Sequence, residues 1–251
     1  MASWQNLDRE LKNWHQNGRA ATLWWRDDDA VDATPQLDAL LNLSGRHHIP
    51  VVVAAIPFGA TDDLRRRLRD ETLCAVIQHG FRHANHAPPG EKKAEFGPHR
   101  DKGEMIGEII RGSEQMKGFG NFWPALAAPW NRFDQNLCAR LPEAGLRALS
   151  TFGPRKTAEP APGLRQVNTH VDPVSWRGGR VFAGTEAVLD QLIGHLSARR
   201  LGRVDRNEPT GILTHHLVCD EAGWDFLDSL FQRLRDHPGA AFLGAEEALR
   251  Q

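Results

Sequence analysis

The stretch Leu23–Val31, LWWRDDDAV, runs an apolar segment through an arginine into three consecutive aspartates. A continuous apolar run that stops abruptly in polar side chains reads as a strand buried on both faces, with its carboxylates at the C-terminal end. Three adjacent like charges repel one another. A divalent cation among them removes that cost.

The same pattern recurs along the chain. Strand candidates are Ala21–Arg26, Val51–Ile56, Ala75–His79, Leu126–Ala128, Ala148–Phe152, Gln166–His170, Gly211–His215 and Ala240–Leu243. Amphipathic stretches separate them: Thr34–Ser44, Asp62–Asp70, Lys102–Met116, Phe133–Glu143, Thr185–Ala198 and Gly223–Arg235. Thr34 and Pro35 give the first of these helices a cap and a first-turn proline. Alternating strands and helices with continuous apolar strands predict a parallel sheet with right-handed crossovers. The expected fold is α/β, a distorted or incomplete (β/α) barrel of about seven parallel strands. One domain over residues 1–251 accounts for the length. The proline-rich segment Gly153–Gln166 reads as a surface loop within it.

In such barrels chemistry gathers at the C-terminal ends of the strands. Those ends carry Asp27, Asp28 and Asp29; His79, His83 and His86; Trp130, Asn131 and Arg132; His170, Asp172 and Trp176; and His215 and His216. His79 and His83 stand four apart, the spacing that puts two rings on one face of a helical turn. With a carboxylate from another strand they make a two-histidine, one-carboxylate set, which leaves coordination positions open for water and substrate, and His86, three after His83, could replace one of the ligands. Trp24 and Trp25, inside the strand, read as core. His47 and His48 fall in a turn on the opposite face, and His170 reads as a structural histidine. The loop Gly90–Gly97 follows the two histidines and reads as solvated, with an anionic substrate group on Lys92 or Lys93 as the alternative.

Composition narrows the classes. The formal net charge is −1 with no long basic stripe, so nucleic acid is not an expected partner. No apolar run approaches the length of a membrane span. Three scattered cysteines suggest neither a disulfide framework nor a cysteine metal site, and point to the cytoplasm.

The motifs, in their order, resemble the polysaccharide deacetylases, carbohydrate esterase family four, which share the NodB homology domain. RDDDA at Arg26–Ala30 resembles the family's paired aspartates followed by a small residue. HGFRH at His79–His83 fits its second motif. APWNR at Ala128–Arg132 and VDPVSW at Val171–Trp176 are looser matches to the third and fourth, and LTH at Leu213–His215 fits the fifth. The usual threonine and phenylalanine before the aspartates are replaced by Arg26 and Asp27. The third motif lacks its arginine-proline-proline form.

The resemblance implies a metal-dependent hydrolase of amide bonds that removes acetyl groups from an N-acetylated sugar. A small non-sugar amide or ureide is the alternative substrate, and a noncatalytic carbohydrate-binding relative the alternative function. Asp29, His79 and His83 would hold a divalent ion, zinc in the first instance, with cobalt, nickel or manganese as alternatives. Asp28, or Asp27, would be the general base, and His215, or its neighbour His216, the general acid. Trp130, Asn131, Arg132, Asp172 and Trp176 would line the substrate site, with Arg132 orienting the base and Asp172 orienting His215. The partner expected is a small-molecule or oligosaccharide substrate.

Overall fold

The computed structural model describes residues 1–250. The strands are β1 (Ala21–Ala30), β2 (Val51–Ala55), β3 (Cys74–His79), β4 (Phe122–Ala127), β5 (Ala148–Ser150), β6 (Arg165–Gln166), β7 (Val174–Ser175), β8 (Val181–Phe182), β9 (Thr210–Thr214) and β10 (Ala240–Phe242). The helices are α1 (Trp4–Gln16), α2 (Pro35–His47), α3 (Asp62–Leu68), α4 (Lys102–Met116), α5 (Thr185–Arg200), α6 (Glu221–Arg235) and α7 (Ala245–Leu249).

The main sheet runs β10-β1-β2-β3-β4-β5-β6, with β9 pairing β1 on its other side. Every pairing in it is parallel. It curls through 239° as a half-barrel, the incomplete barrel that the strand pattern predicts. β7 and β8 form a separate antiparallel hairpin.

Alternation along β1 splits its side chains between two layers. Leu23 and Trp25 face outward, into a core built with α1, α2, α5 and α6. Trp24 faces inward, against Val52, Ala54, Ile77, Ala125 and Ala148, and α7 closes that interior with Ala245, Ala248 and Leu249. A third cluster packs α4 and the segment Gln135–Ala144 on the far side of β4 and β5.

The open side of the barrel is narrowed by the chain after β6, whose Val171 bridges to Ile212 of β9. Gly211 permits that approach: a Cβ there would lie 2.5 Å from the Trp24 indole nitrogen and 2.6 Å from the Asn168 carbonyl oxygen. The expected strand Gln166–His170 is therefore mostly an irregular seam rather than a ladder. Helix α1 goes unpredicted, although Leu7, Leu11 and Trp14 share one buried face and Ser3 caps it.

Candidate metal and catalytic site

The three aspartates do not alternate as a regular strand would have them. The register of β1 against β2 slips between Asp27 and Ala30, and Asp29 takes a left-handed conformation at φ 75°. Such a bulge turns an extra side chain toward the same face. Asp28 and Asp29 thus both reach the barrel mouth, while Asp27 faces the outer layer.

Asp29 Oδ1 lies 3.1 Å from His79 Nε2 and 3.3 Å from His83 Nε2. One ligand atom from each residue falls within 4.8 Å of the others. His79 Nδ1 sits 3.1 Å from the Ala127 carbonyl oxygen. A carbonyl only accepts, so Nδ1 carries the proton and, in the neutral ring, Nε2 presents a lone pair. Asp29 Oδ1 is buried without a hydrogen-bond partner. Two imidazoles, one of them with its lone pair directed inward, and an unpartnered carboxylate oxygen converge on one point, a donor set that could hold a divalent transition metal. Burial would raise the Asp29 pKa, but the neighbouring His79, His215 and His83 hold it well below the usual carboxylate range. Burial pulls His79 down, and the charges of Asp28 and Asp29 outweigh it and raise its pKa. His83 is lowered by burial and by His79.

The expected helical turn between the two histidines is not helical. β3 ends at His79, and Gly80 and His83 both take positive φ, 58° and 55°. Gly80 is required twice over, since a Cβ there would also lie 2.0 Å from Glu95 Oε2 and 2.4 Å from Pro129. Glu95, wholly buried, accepts hydrogen bonds from the backbone N–H groups of Phe81 (3.0 Å) and Arg82 (2.7 Å). Its carboxylate therefore braces the turn that carries His83.

Asp28 is gripped by Arg26. The guanidinium donates through Nε to Oδ1 at 2.8 Å and through Nη2 to Oδ2 at 3.0 Å. It also donates to Ser150 Oγ (2.6 Å) and Asn131 Oδ1 (2.7 Å). Arg26 is 0% exposed and Asp28 2%, so the fork is desolvated and its geometry fixed. Arg132, expected to orient the base, instead donates to the Lys93 carbonyl at 2.8 Å. Asn131, expected against substrate, is occupied by Arg26. Trp130 and Asn131 both stand at positive φ, which turns Arg132 away.

Asp27 is fully buried. It accepts from Thr214 Oγ1 at 2.6 Å, from the His216 N–H at 3.0 Å and from His216 Nδ1. Burial alone would lower the His216 pKa, but the Asp27 charge and hydrogen bond outweigh it. His215 packs edge-on against Trp176 at 4.7 Å between ring centroids. Its Nδ1 is buried without a partner. The hydrogen bond that His215 was expected to donate to Asp172 is absent among the described residues. Asp172 accepts instead from the Trp176 indole at 2.7 Å and from the Val174 N–H at 2.9 Å. Burial raises the Asp172 pKa. Trp130 stands beside His83, 4.3 Å between ring centroids. His86 is exposed and outside the donor set.

A second grouping, His170, His195 and Glu208, also lies within ligand distance and is buried. It fits a metal poorly. The Gly211 N–H donates to His170 Nδ1 at 3.0 Å, so that ring's proton is on Nε2, which points at Glu208 Oε2, 3.4 Å away. The sequence reading of His170 as structural agrees with this arrangement.

Arg26, Ser150 and Glu95 are the site residues that sequence reasoning missed. Arg26 carried a signal: strand alternation places it on the face of Asp28, and a buried arginine needs a carboxylate. Glu95 carried none, because only the folded loop brings it beneath the histidine turn.

No family model and no curated protein matches the sequence. Solved structures do match. A peptidoglycan N-acetylglucosamine deacetylase, Bc1960, is 16% identical with a TM-score of 0.61, over 92% of this chain and 89% of that one. The family 4 carbohydrate esterase of Streptomyces lividans, in complex with acetate, is 15% identical with a TM-score of 0.55, over 89% and 91%. A family 4 acetyl xylan esterase of Clostridium thermocellum, holding a cobalt ion, is 10% identical with a TM-score of 0.54, over 91% and 90%. At such identities the likeness is one of fold, and it spans nearly the whole chain.

Proposed function

We propose that this protein is a metal-dependent hydrolase that removes the acetyl group from an N-acetylated sugar. The convergence of Asp29, His79 and His83, with His79 held in the ligating tautomer by Ala127, carries the reading. The fold shared with deacetylases and esterases, some holding acetate or cobalt, supports it. A divalent cation on these three residues, zinc being the first choice, would supply a Lewis acid for the amide carbonyl and lower the pKa of a water.

Asp28, its carboxylate aimed by the Arg26 fork, takes the proton of the attacking water as the oxygen adds to the acetyl carbon. Asp27 is spent on Thr214 and His216 and faces the wrong layer for this step. His215, at the mouth, gives its proton to the departing amine nitrogen as the C–N bond breaks, leaving acetate and a free amino sugar. His216, locked on Asp27 beneath the mouth, is the poorer acid. Trp176, 44% exposed, and Trp130 offer ring faces for stacking on sugar. Three unpaired cysteines suit a reducing compartment, the cytoplasm. No helix of the described residues is long and apolar enough to cross a membrane.

The test is acetate release from N-acetylglucosamine oligomers by the zinc- or cobalt-loaded protein, with small ureides as controls. His215→Asn is expected to keep its metal and lose about 100-fold or more in kcat. Hydrolysis of ureides alone would move the substrate class. Full activity in His215→Asn would remove the acid assignment, and a protein that binds oligomers without turnover would be a binding module.

A further inference from the structure

The loop between the turn that carries His83 and α4 is held in place by its own backbone contacts. It is fastened at several points: the His86 N–H donates to the Ala94 carbonyl (2.9 Å), the Ala94 N–H to Asn85 Oδ1 (3.0 Å), and Phe96 bridges to Phe133. Glu95, one residue past Ala94, is buried under the histidine turn. Lys93, just before these anchors, is exposed, and its Nζ stands 5.9 Å from the Trp130 ring centroid. Trp130 in turn touches His83. The ammonium thus lies at most about 10 Å from a metal ligand, roughly the span of a sugar ring with a substituent. Arg132, its guanidinium donating to the Lys93 carbonyl, brings a second cation to the same edge.

Neither cation forms an ion pair among the described residues. The carboxylates closest in sequence are engaged elsewhere: Glu91 with His99 at 2.8 Å, Glu95 with the backbone of the turn, and Asp134 with the N–H of Asn136 at 3.0 Å. Other arginines of this protein, such as Arg46, Arg67, Arg140 and Arg200, pair with a carboxylate. Two uncompensated cations held by a pinned loop beside an aromatic ring form a receptor for negative oxygen, with the ring left to face a sugar.

We infer that the substrate is an anionic N-acetylated sugar, whose phosphate or carboxylate is held by Lys93 and Arg132 while the ring rests against Trp130. This rests on the deacetylase reading and names the substrate class within it. It separates this site from one built for a neutral polymer.

The experiment compares kcat/KM of the zinc-loaded protein for N-acetylglucosamine, its anomeric phosphate, and the carboxylate-bearing N-acetylmuramic acid. At least one anionic substrate is expected to be preferred by about tenfold, the size that two partly exposed charge pairs support. The phosphate and carboxylate arms show which anion it is. In the Lys93→Gln/Arg132→Gln double variant the ratio of anionic to neutral kcat/KM is expected to fall to about one. A neutral substrate turned over as well as the anionic ones, or a preference that survives the double variant, overturns the inference. Titration calorimetry with glucosamine, its anomeric phosphate and muramic acid, none needing turnover, separates the two claims. An advantage of either anion that is lost in the double variant upholds the anion site even if no sugar releases acetate; no advantage of either in the wild type overturns it.

Discussion

Removing the Arg26 side chain with Arg26→Met is the most informative single perturbation. Arg26 makes four hydrogen bonds, two of them to a carboxylate that is 2% exposed. Methionine fills much of the same volume but leaves Asp28 charged, buried and unpaired next to Asp29. Breaking a buried pair from one side costs about 3–5 kcal/mol. For a domain of this size that is a fall of roughly 10 °C in Tm. Replacing both partners, Arg26→Met with Asp28→Leu, removes the stranded charge and is expected to recover most of the loss, because a buried pair and its apolar substitute differ little in net stability. Both variants lose turnover, one through a misplaced base and the other through an absent one. Thermal and urea unfolding of the two variants and of Asp28→Leu alone close the cycle. If Arg26→Met costs less than about 1 kcal/mol, or if the two single losses simply add, the fork is not the desolvated clamp described here.

Three further outcomes follow from the same geometry. Gly80→Ala meets both a positive φ and Glu95 and Pro129, so it is expected to weaken metal affinity at least about tenfold; dialysis against a chelating competitor would read this, and unchanged affinity would show that the turn tolerates a Cβ. Glu95→Gln keeps shape but loses the charge that binds the Phe81 and Arg82 N–H groups, and is expected to cost about 1–3 kcal/mol in urea unfolding; a neutral effect would deny the brace. Burial depresses the His195 pKa from 6.5 to about 2. The unfolded chain therefore takes up a proton below pH 6.5 that the folded one refuses, and stability is complete above that value and falls as the pH drops. The slope is at most about 1.4 kcal/mol per pH unit, so the stability difference between wild type and His195→Gln, followed from pH 7 to pH 5, is expected to shrink, whereas a pH-independent difference would contradict it.

The half-barrel was legible because its strands are apolar runs that end in polar clusters, a period the chain repeats from Leu23 to Phe242. The convergence of Asp29, His79 and His83 was legible for the same reason: Asp29 and His79 lie at the ends of β1 and β3, and His83 in the turn that follows. The finer assignments were not, because they depend on backbone geometry that residue types do not encode. The bulge at Asp29 turns two successive aspartates to one face. The left-handed pair Trp130–Asn131 swings Arg132 outward and leaves Arg26 to hold Asp28. Trp176 takes the Asp172 oxygen that His215 was expected to share. Helix α1 was not legible although Leu7, Leu11 and Trp14 recur at helical spacing, because most of its other positions are polar.

The central claim is that one divalent cation sits between Asp29, His79 and His83, and metal stoichiometry tests it most directly. Protein dialysed against zinc and then against metal-free buffer should retain one ion per chain, and His79→Ala should retain none while still folding. Zinc that washes out of the wild type, or that stays at one per chain in His79→Ala, would contradict it.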